Sequence, residues 1–369
     1  ALDHHAACVA AVEQIESGLQ VLELLSRPTI RPTLVIDGDS TGWPSMTGRR
    51  PPPSGRGPEA AGYDRPVTYS IVARDDRSGE LGVAVQSHYF GVGSLVAWAE
   101  AGVGAVATQS VVEPAYGPRG LGLMRAGESA PAALQRLLAE DEHERARQIA
   151  FVDRRGRVAA HTGDRCVREA GHRVADGVSA QANIMARATV PDAMVAAYRS
   201  TPGALAERLL AALRAAEAEG GDLRGRQSAA MLVVGPKASG LPARDCRCDL
   251  RVEDHPDPVG ELTRLVALRR AYERVDEADE LAAGGDLEGA LELYTAAHEA
   301  QPDNVELAFW HGVALAAHGR EEAARPFLDQ AFHESDSWRE LLRRLPDAGL
   351  FPEDPELLAR TAGQPAAPL

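Results

Sequence analysis

Cysteine is scarce in this chain. Its 369 residues carry four, Cys8, Cys166, Cys246 and Cys248, which set neither a disulfide framework nor a zinc spacing. Cys246 and Cys248 alone could be half of a metal site, but no second Cys or His pair at ligand spacing completes it, and the cysteines read as free thiols. His88, His161 and His172 stand singly, without a second histidine three or four residues on. No metal is therefore expected, and no motif calls for a cofactor. Free thiols fit a reducing compartment, so the chain is expected in the cytoplasm. No apolar run approaches the roughly 18 residues of a transmembrane helix, and no membrane partner is expected. No secretory signal is expected over residues 1–25, where Asp3, His4 and His5 come first and Glu13 and Glu16 interrupt the following apolar stretch. Positive charge is short, with 39 Lys and Arg against 54 Asp and Glu and a formal net charge of −15, a surface that repels phosphate backbones and excludes nucleic acid. Aromatic residues make up only 5%, and no cluster of them forms a platform for sugars.

What is present begins at Thr68. The run Thr-Tyr-Ser-Ile-Val-Ala-Arg from Thr68 is followed by a polar turn, Asp75 to Gly79, and then by Leu-Gly-Val-Ala-Val from Leu81. Two β-branched, apolar runs around a glycine-containing turn predict a β-hairpin. The residue that opens it carries the chemical interest. With the peptide before Thr68 removed, its α-amine stands beside its own hydroxyl, the threonine form of an activated nucleophile. An α-amine with a reference pKa of about 7.7 to 8.0 takes the hydroxyl proton near neutral pH without a separate histidine. The plainer reading, a threonine that merely starts a strand, is common and stands beside it.

From Thr68 to Val234 the chain resembles the DUF1028 family. The matching blocks are the strand from Thr68, Gly-Glu-Leu-Gly-Val-Ala-Val from Gly79, Ala-Gly-Val-Gly-Ala-Val-Ala-Thr-Gln from Ala101 and Pro-Ala-Tyr-Gly-Pro-Arg-Gly-Leu from Pro114. Further blocks are His161-Thr162-Gly163, Cys166, Gly171-His172, the stretch from Gln181 to Ile184 and the stretch from Gly220 to Ala230. The resemblance implies an α+β domain of the N-terminal-nucleophile hydrolase type, a four-layer αββα sandwich, and a hydrolase scaffold of unstated substrate. An amidohydrolase would take a small-molecule or peptide amide.

The elements expected within it are strands near 94–99 and 103–109, a helix over 130–139 with Ser129 as N-cap, and a hairpin of 147–152 with 157–161. Helices near 191–198 and 203–219 and a last buried strand over 229–234 complete them. Candidate site residues follow from chemistry. Asn183 offers a side-chain amide to an oxyanion, or only ties its own turn. Asp222 orients the Thr68 amine, or pins its loop through Arg224. Arg224 and Arg226 present planar forks to a substrate carboxylate, Gln227 stands at the strand entrance, and Tyr116 and Arg119 line a pocket or belong to a rigid turn.

The flanks differ in composition. Residues 1–67 read as a largely disordered extension, with one amphipathic helix over 10–25 and a Pro, Gly, Ser and Arg-rich stretch over 40–66, and serve as leader, propeptide or mis-assigned start. Residues 237–254 read as a linker and 362–369 as a tail. Between them, 255–361 carries an internal repeat: Gly285, Ala290 and Ala297 recur as Gly319, Ala324 and Ala331, each at an offset of 34. That period, with small residues where paired helices touch, resembles the tetratricopeptide repeat. The copies span 271–304 and 305–337, after a helix over 259–276 and before a capping helix over 338–345. The same region resembles one assigned to peptidoglycan binding in some DUF1028 proteins. What the repeats hold, a peptide of a protein partner, a glycan or a second copy of the chain, stays open, as does a non-enzymatic scaffold in place of the hydrolase.

Overall fold

The computed structural model describes residues 68–363. The extension, with the helix expected over 10–25, and residues 364–369 of the tail lie outside the described residues, while Ala362, where the tail is expected to begin, still belongs to a helix. The chain divides at Arg269 and Arg270 into two units.

The first unit alternates ten strands with short helices. In chain order they are β1 (Thr68–Arg74), β2 (Leu81–Ser87), α1 (Gly93–Val96), β3 (Ala97–Glu100), β4 (Gly104–Ser110), α2 (Tyr116–Arg125), α3 (Ala130–Ala139), β5 (Arg147–Asp153), β6 (Val158–Thr162), β7 (Gly171–Ala175), β8 (Val178–Ala182), α4 (Val190–Ser200), α5 (Leu205–Ala218), β9 (Ser228–Val234), α6 (Pro242–Asp245) and β10 (Cys246–Val252). They pair into a six-stranded sheet in the order β10-β9-β2-β1-β8-β7 and a four-stranded sheet in the order β3-β4-β5-β6. Every pairing is antiparallel.

Period-2 alternation assigns each strand residue to a layer. Tyr69, Ile71 and Ala73 pack with Met194, Tyr198, Leu205, Leu209 and Leu213 of α4 and α5. The intervening Val72 turns the other way, joining Val83, Val85, Ala105, Ala107, Ala150 and Val152 between the sheets. On the far face of the second sheet, Val106, Ile149 and Phe151 meet Tyr116, Leu121, Leu134 and Leu137 of α2 and α3. The first unit is thus an α+β domain of antiparallel sheets with helices packed against them.

The expected hairpin pairs in full register, from Thr68 opposite Ser87 to Arg74 opposite Leu81. Ser129 caps α3 as expected, its hydroxyl accepting from the Ala132 amide. Three expectations change. The strand expected over 94–99 is a turn of helix, α1, followed by β3. The span read as a linker contains β10, hydrogen-bonded along β9 as an edge strand. The stretch around Gly117 and Gly120, read as a rigid turn, is the helix α2.

The glycines of α2 explain why it hides in the sequence. A Cβ on Gly117 would lie 2.3 Å from the Trp98 ring, and one on Gly120 would lie 2.4 Å from the ring of buried Phe151. They are there for close approach to the sheet, not for flexibility. We expect Gly120→Ala to cost about 2 kcal/mol through overpacking. Gly122→Ala, on the open side of the same helix with nothing within 4 Å, is expected to gain about 0.5–1 kcal/mol from propensity. Urea unfolding of the two variants checks the opposite signs.

The second unit is helical. The long α7 (Pro258–Ala283) supplies Val259, Leu262 and Val266 to the first unit's core and Ala278 to the second's. It is followed by α8 (Leu287–Ala300), α9 (Val305–Ala317), α10 (Glu321–Glu334), α11 (Asp336–Arg344) and α12 (Pro355–Ala362). Asp286 and Asn304 cap α8 and α9 by accepting from the Gly289 and Leu307 amides. The repeated small residues are where helices touch: Ala290, Ala297, Ala324 and Ala331 are buried, and a Cβ on Gly312 would strike Leu328 at 2.7 Å.

Candidate functional site

Thr68 lies at the end of β1 where the layer between the sheets stops being apolar. Its side chain and that of Ser70 point between the sheets, and the same alternation brings in Ser179, Gln181 and Asn183 from the β8 segment, Gln109 from β4 and Gln148 from β5. All are essentially inaccessible to solvent. Buried polar groups in such a layer are costly unless each finds a partner.

They partner one another in a single consistent direction. The Gln148 amide nitrogen donates to Thr162 Oγ1 at 3.0 Å, Gly171 O at 3.1 Å and Ala182 O at 2.9 Å, which fixes its oxygen as an acceptor. That oxygen accepts from Gln109 Nε2 at 2.7 Å and from Asn183 Nδ2 at 2.9 Å. Gln109 and Asn183 in turn donate to the Thr68 carbonyl at 3.1 and 3.4 Å, beside the backbone bond from the Asn183 amide at 3.1 Å. Gln181 Nε2 donates to Ser70 Oγ at 2.6 Å, and Ser70 donates to Gln109 Oε1. Thr68 is thus held by its own carbonyl. Its hydroxyl donates to Ser87 Oγ at 3.2 Å.

The Asp222 loop closes the same end of the sheet. Asp222 Oδ2 accepts from the His88 amide at 3.1 Å, one residue beyond Ser87, and Oδ1 accepts from the Arg224 amide at 2.8 Å. The Arg224 guanidinium pairs with it at 3.2 Å. Arg226 is taken up by Glu217 and by Asp257 at 3.3 Å, and Gln227 joins strands through its backbone, donating to Ser87 O and accepting from His255 N. Under this loop, burial first and Glu217 second push the Tyr69 phenol well above its ordinary range. Phe90 and Leu223, both 65% exposed, stand on the two loops that meet at His88 and Asp222.

Tyr116 and Arg119 are elsewhere. They line a concavity of about 250 Å³ with Glu113, Glu140 and Asp141, beyond the second sheet from Thr68. The Tyr116 hydroxyl donates to Asp141 at 3.1 Å, and Arg119 pairs with Glu140. Of the predicted site residues, Thr68 and Asn183 touch, Asp222, Arg224 and Gln227 adjoin them, and Arg226 sits behind. Ser70, Ser87, Gln109, Gln148 and Gln181 escaped the sequence reading, although polar residues at alternate positions of apolar strands were a signal for them. Among the described residues no group of three His, Cys, Asp or Glu could hold a metal ion, and no helix is long and apolar enough to cross a membrane.

An antiparallel α+β domain followed by a helical repeat region is the class this architecture defines. Residues 68–262 match the profile of DUF1028, a family of unknown function, and the chain belongs to that family. Residues 281–345 match a tetratricopeptide repeat, a module that suggests protein–protein interaction. The chain is similar to protein SPO2555 from Silicibacter pomeroyi, a crystal structure assigned to DUF1028, at 31% identity and a TM-score of 0.49, over 54% of this chain and 88% of that one. No curated protein matches.

Proposed function

We propose that the DUF1028 domain is an N-terminal-nucleophile amidohydrolase, of the four-layer type its resemblance implies, with Thr68 as nucleophile. The observation that carries this reading is a threonine hydroxyl buried at the polar end of the layer between two sheets, with its carbonyl immobilised by Gln109 and Asn183. The bonds to the carbonyl hold the Thr68 backbone and the bond to Ser87 holds Oγ1, and together they supply the preorganisation a nucleophile and its intramolecular base require. With the 67–68 peptide bond cleaved, Oγ1 attacks the amide carbonyl carbon while the α-amine takes its proton. The amine then returns the proton to the leaving nitrogen as the C–N bond breaks. Water, deprotonated by the same amine, hydrolyses the resulting ester and restores the hydroxyl. Asn183 is assigned to the oxyanion: its 3.4 Å contact to the Thr68 carbonyl is the longer of its two and the one a developing oxyanion takes over. Asp222, which accepts from the His88 amide next to the Ser87 that faces Thr68, is assigned to orient the amine, and Arg224, a third exposed, is assigned to a substrate carboxylate. The repeats recruit a protein partner.

A second reading, a binding scaffold, draws on a different observation: the amides around Thr68 are satisfied by one another, as in a structural polar core. The mature amino terminus separates the two. We expect intact-mass analysis of protein from its native host to find a chain starting at Thr68, and an electrophile aimed at N-terminal nucleophiles to label it. Thr68→Ala should abolish labelling at a stability cost of about 1 kcal/mol, and Asn183→Ala should slow turnover about a hundredfold. A stable species retaining residues before Thr68 sinks the mechanism, because an acylated nitrogen is no base.

A further inference from the structure

A second concavity, of about 340 Å³, lies at the other end of β1, roughly 20 Å along the strand from Thr68. It is lined by Asp76 and Arg77 of the β1–β2 turn, Arg199, Ser200, Thr201 and Pro202 at the end of α4, and Arg208 of α5. We propose that this arginine-lined concavity binds a phosphomonoester that bears hydroxyl groups. The assignment does not rest on the Thr68 chemistry.

Arg208 is a built part of the wall. Its side chain is only 12% exposed, its guanidinium stacks 4.1 Å from the Tyr198 ring centroid, and two of its N–H groups are spent on Tyr198 O at 3.2 Å and Asp75 Oδ1 at 3.3 Å. Three of its five donors remain, in a fork whose direction is fixed. Arg77 is anchored by donating to Gly203 O at 2.9 Å, with Asp75 behind it at 3.8 Å. These two also neutralise the negative end of α4, which accounts for their presence without any ligand. Arg199, in the last turn of the same helix, lines the concavity and spends none of its donors on a hydrogen bond or ion pair with a described residue. Asp75 and Asp76 offset two of the three guanidinium charges, so one positive charge and several forked donors face the space in a chain of net charge −15. Forked donors around one volume match the several equivalent oxygens of a phosphate group.

Two features extend the assignment from phosphate to ester. The Ser200 and Thr201 hydroxyls both donate to Ala197 O, at 3.3 and 2.8 Å, which leaves their oxygens as acceptors for hydroxyl donors on a ligand. The volume also exceeds what a bare phosphate fills.

Isothermal titration calorimetry on the full chain at fixed ionic strength tests this with glycerol 3-phosphate, inorganic phosphate, glycerol and acetate. Saturable binding of glycerol 3-phosphate is expected, weaker binding of inorganic phosphate, and none of glycerol or acetate. Arg199→Ala should weaken the ester about tenfold or more, the scale of a lost charge-assisted contact, and Arg199→Glu should abolish binding. Arg199→Ala should leave the melting temperature nearly unchanged and Arg199→Glu should lower it only slightly, by the charge it places in the last turn of α4, so both are compared with wild type while fully folded. Absence of saturable binding, or equal affinity in wild type and Arg199→Glu, overturns the site. Inorganic phosphate binding as tightly as the ester overturns the ester assignment, and acetate competing equally overturns the phosphate.

Discussion

Gln148→Leu is expected to destabilise the sheet domain by about 3 kcal/mol, one of the largest losses available without touching an apolar core residue. The substitution keeps most of the volume and removes both ends of an amide that has five hydrogen-bond contacts. Each lost bond is worth about 1 kcal/mol net, and an orphaned buried N–H costs about 1–3 kcal/mol more. Gln109 keeps acceptors in Thr68 O and Gln181 O, whereas Asn183 Nδ2 keeps only its 3.4 Å contact. The orphan is therefore on Asn183, and its release loosens the hold on the Thr68 carbonyl. Urea unfolding followed by far-UV circular dichroism measures the loss. A change below about 1 kcal/mol would show that the network is not the closed unit the distances describe.

Acid is expected to undo the helical unit through His311. This residue of α9 is buried between Tyr294, stacked at 5.9 Å, and Phe327 at 4.1 Å, and its Nδ1 has no partner. Its charged form is opposed first by burial and then by His298, which packs edge-on against the same Phe327 at 5.0 Å. The carboxylate nearest by chain of contact, Asp279, is taken up by the Tyr294 hydroxyl and offers His311 no counter-charge. The imidazole is accordingly pushed down to about 4 in the folded state, against about 6.5 in an unfolded chain. Between those values the unfolded chain binds the extra proton, so stability is intact above pH 6.5 and falls as pH drops towards 4. The expected loss is about 2 kcal/mol at pH 5 and about 3 kcal/mol near pH 4. Thermal unfolding of the helical unit against pH checks it, and His311→Leu should flatten the curve over that window. An unchanged slope in the variant would assign the acid sensitivity to other groups.

How much of this was legible beforehand depended on where the pattern was local. The β1–β2 hairpin, α3 with its Ser129 cap and the hairpin of β5 with β6 were read from alternation, turn residues and caps, all of which act within a few residues. The strands β7 and β8 were not. β7 is an edge strand whose His172, Arg173 and Val174 are exposed, and β8 buries both faces, with only Val178, Ala180 and Ala182 on the apolar one and Ser179 and Gln181 on the other, so neither shows the apolar-in, polar-out alternation of a half-buried strand. The edge strand β10 misled in the same way, because Arg247, Asp249 and Arg251 alternate with its buried positions and resemble a charged linker. In α2 the glycines that allow contact with Trp98 and Phe151 are the residues that argue against a helix.

The family, the hairpin that Thr68 opens and the 34-residue period of the helical region can all be read along the chain, since each is written in neighbouring residues or in a repeat of them. What Thr68 meets is set by packing. Gln109 lies 41 residues from it and Asn183 115 residues away, and Gln148 reaches it only through these two. A glutamine on a strand carries no local mark of whether its amide faces water, a helix or another sheet. That is fixed when two sheets, each with its own twist and register, stack and leave their polar ends over one another, and the cost of burying an unpaired amide then favours the arrangement in which Gln109, Gln148, Gln181 and Asn183 each find an acceptor.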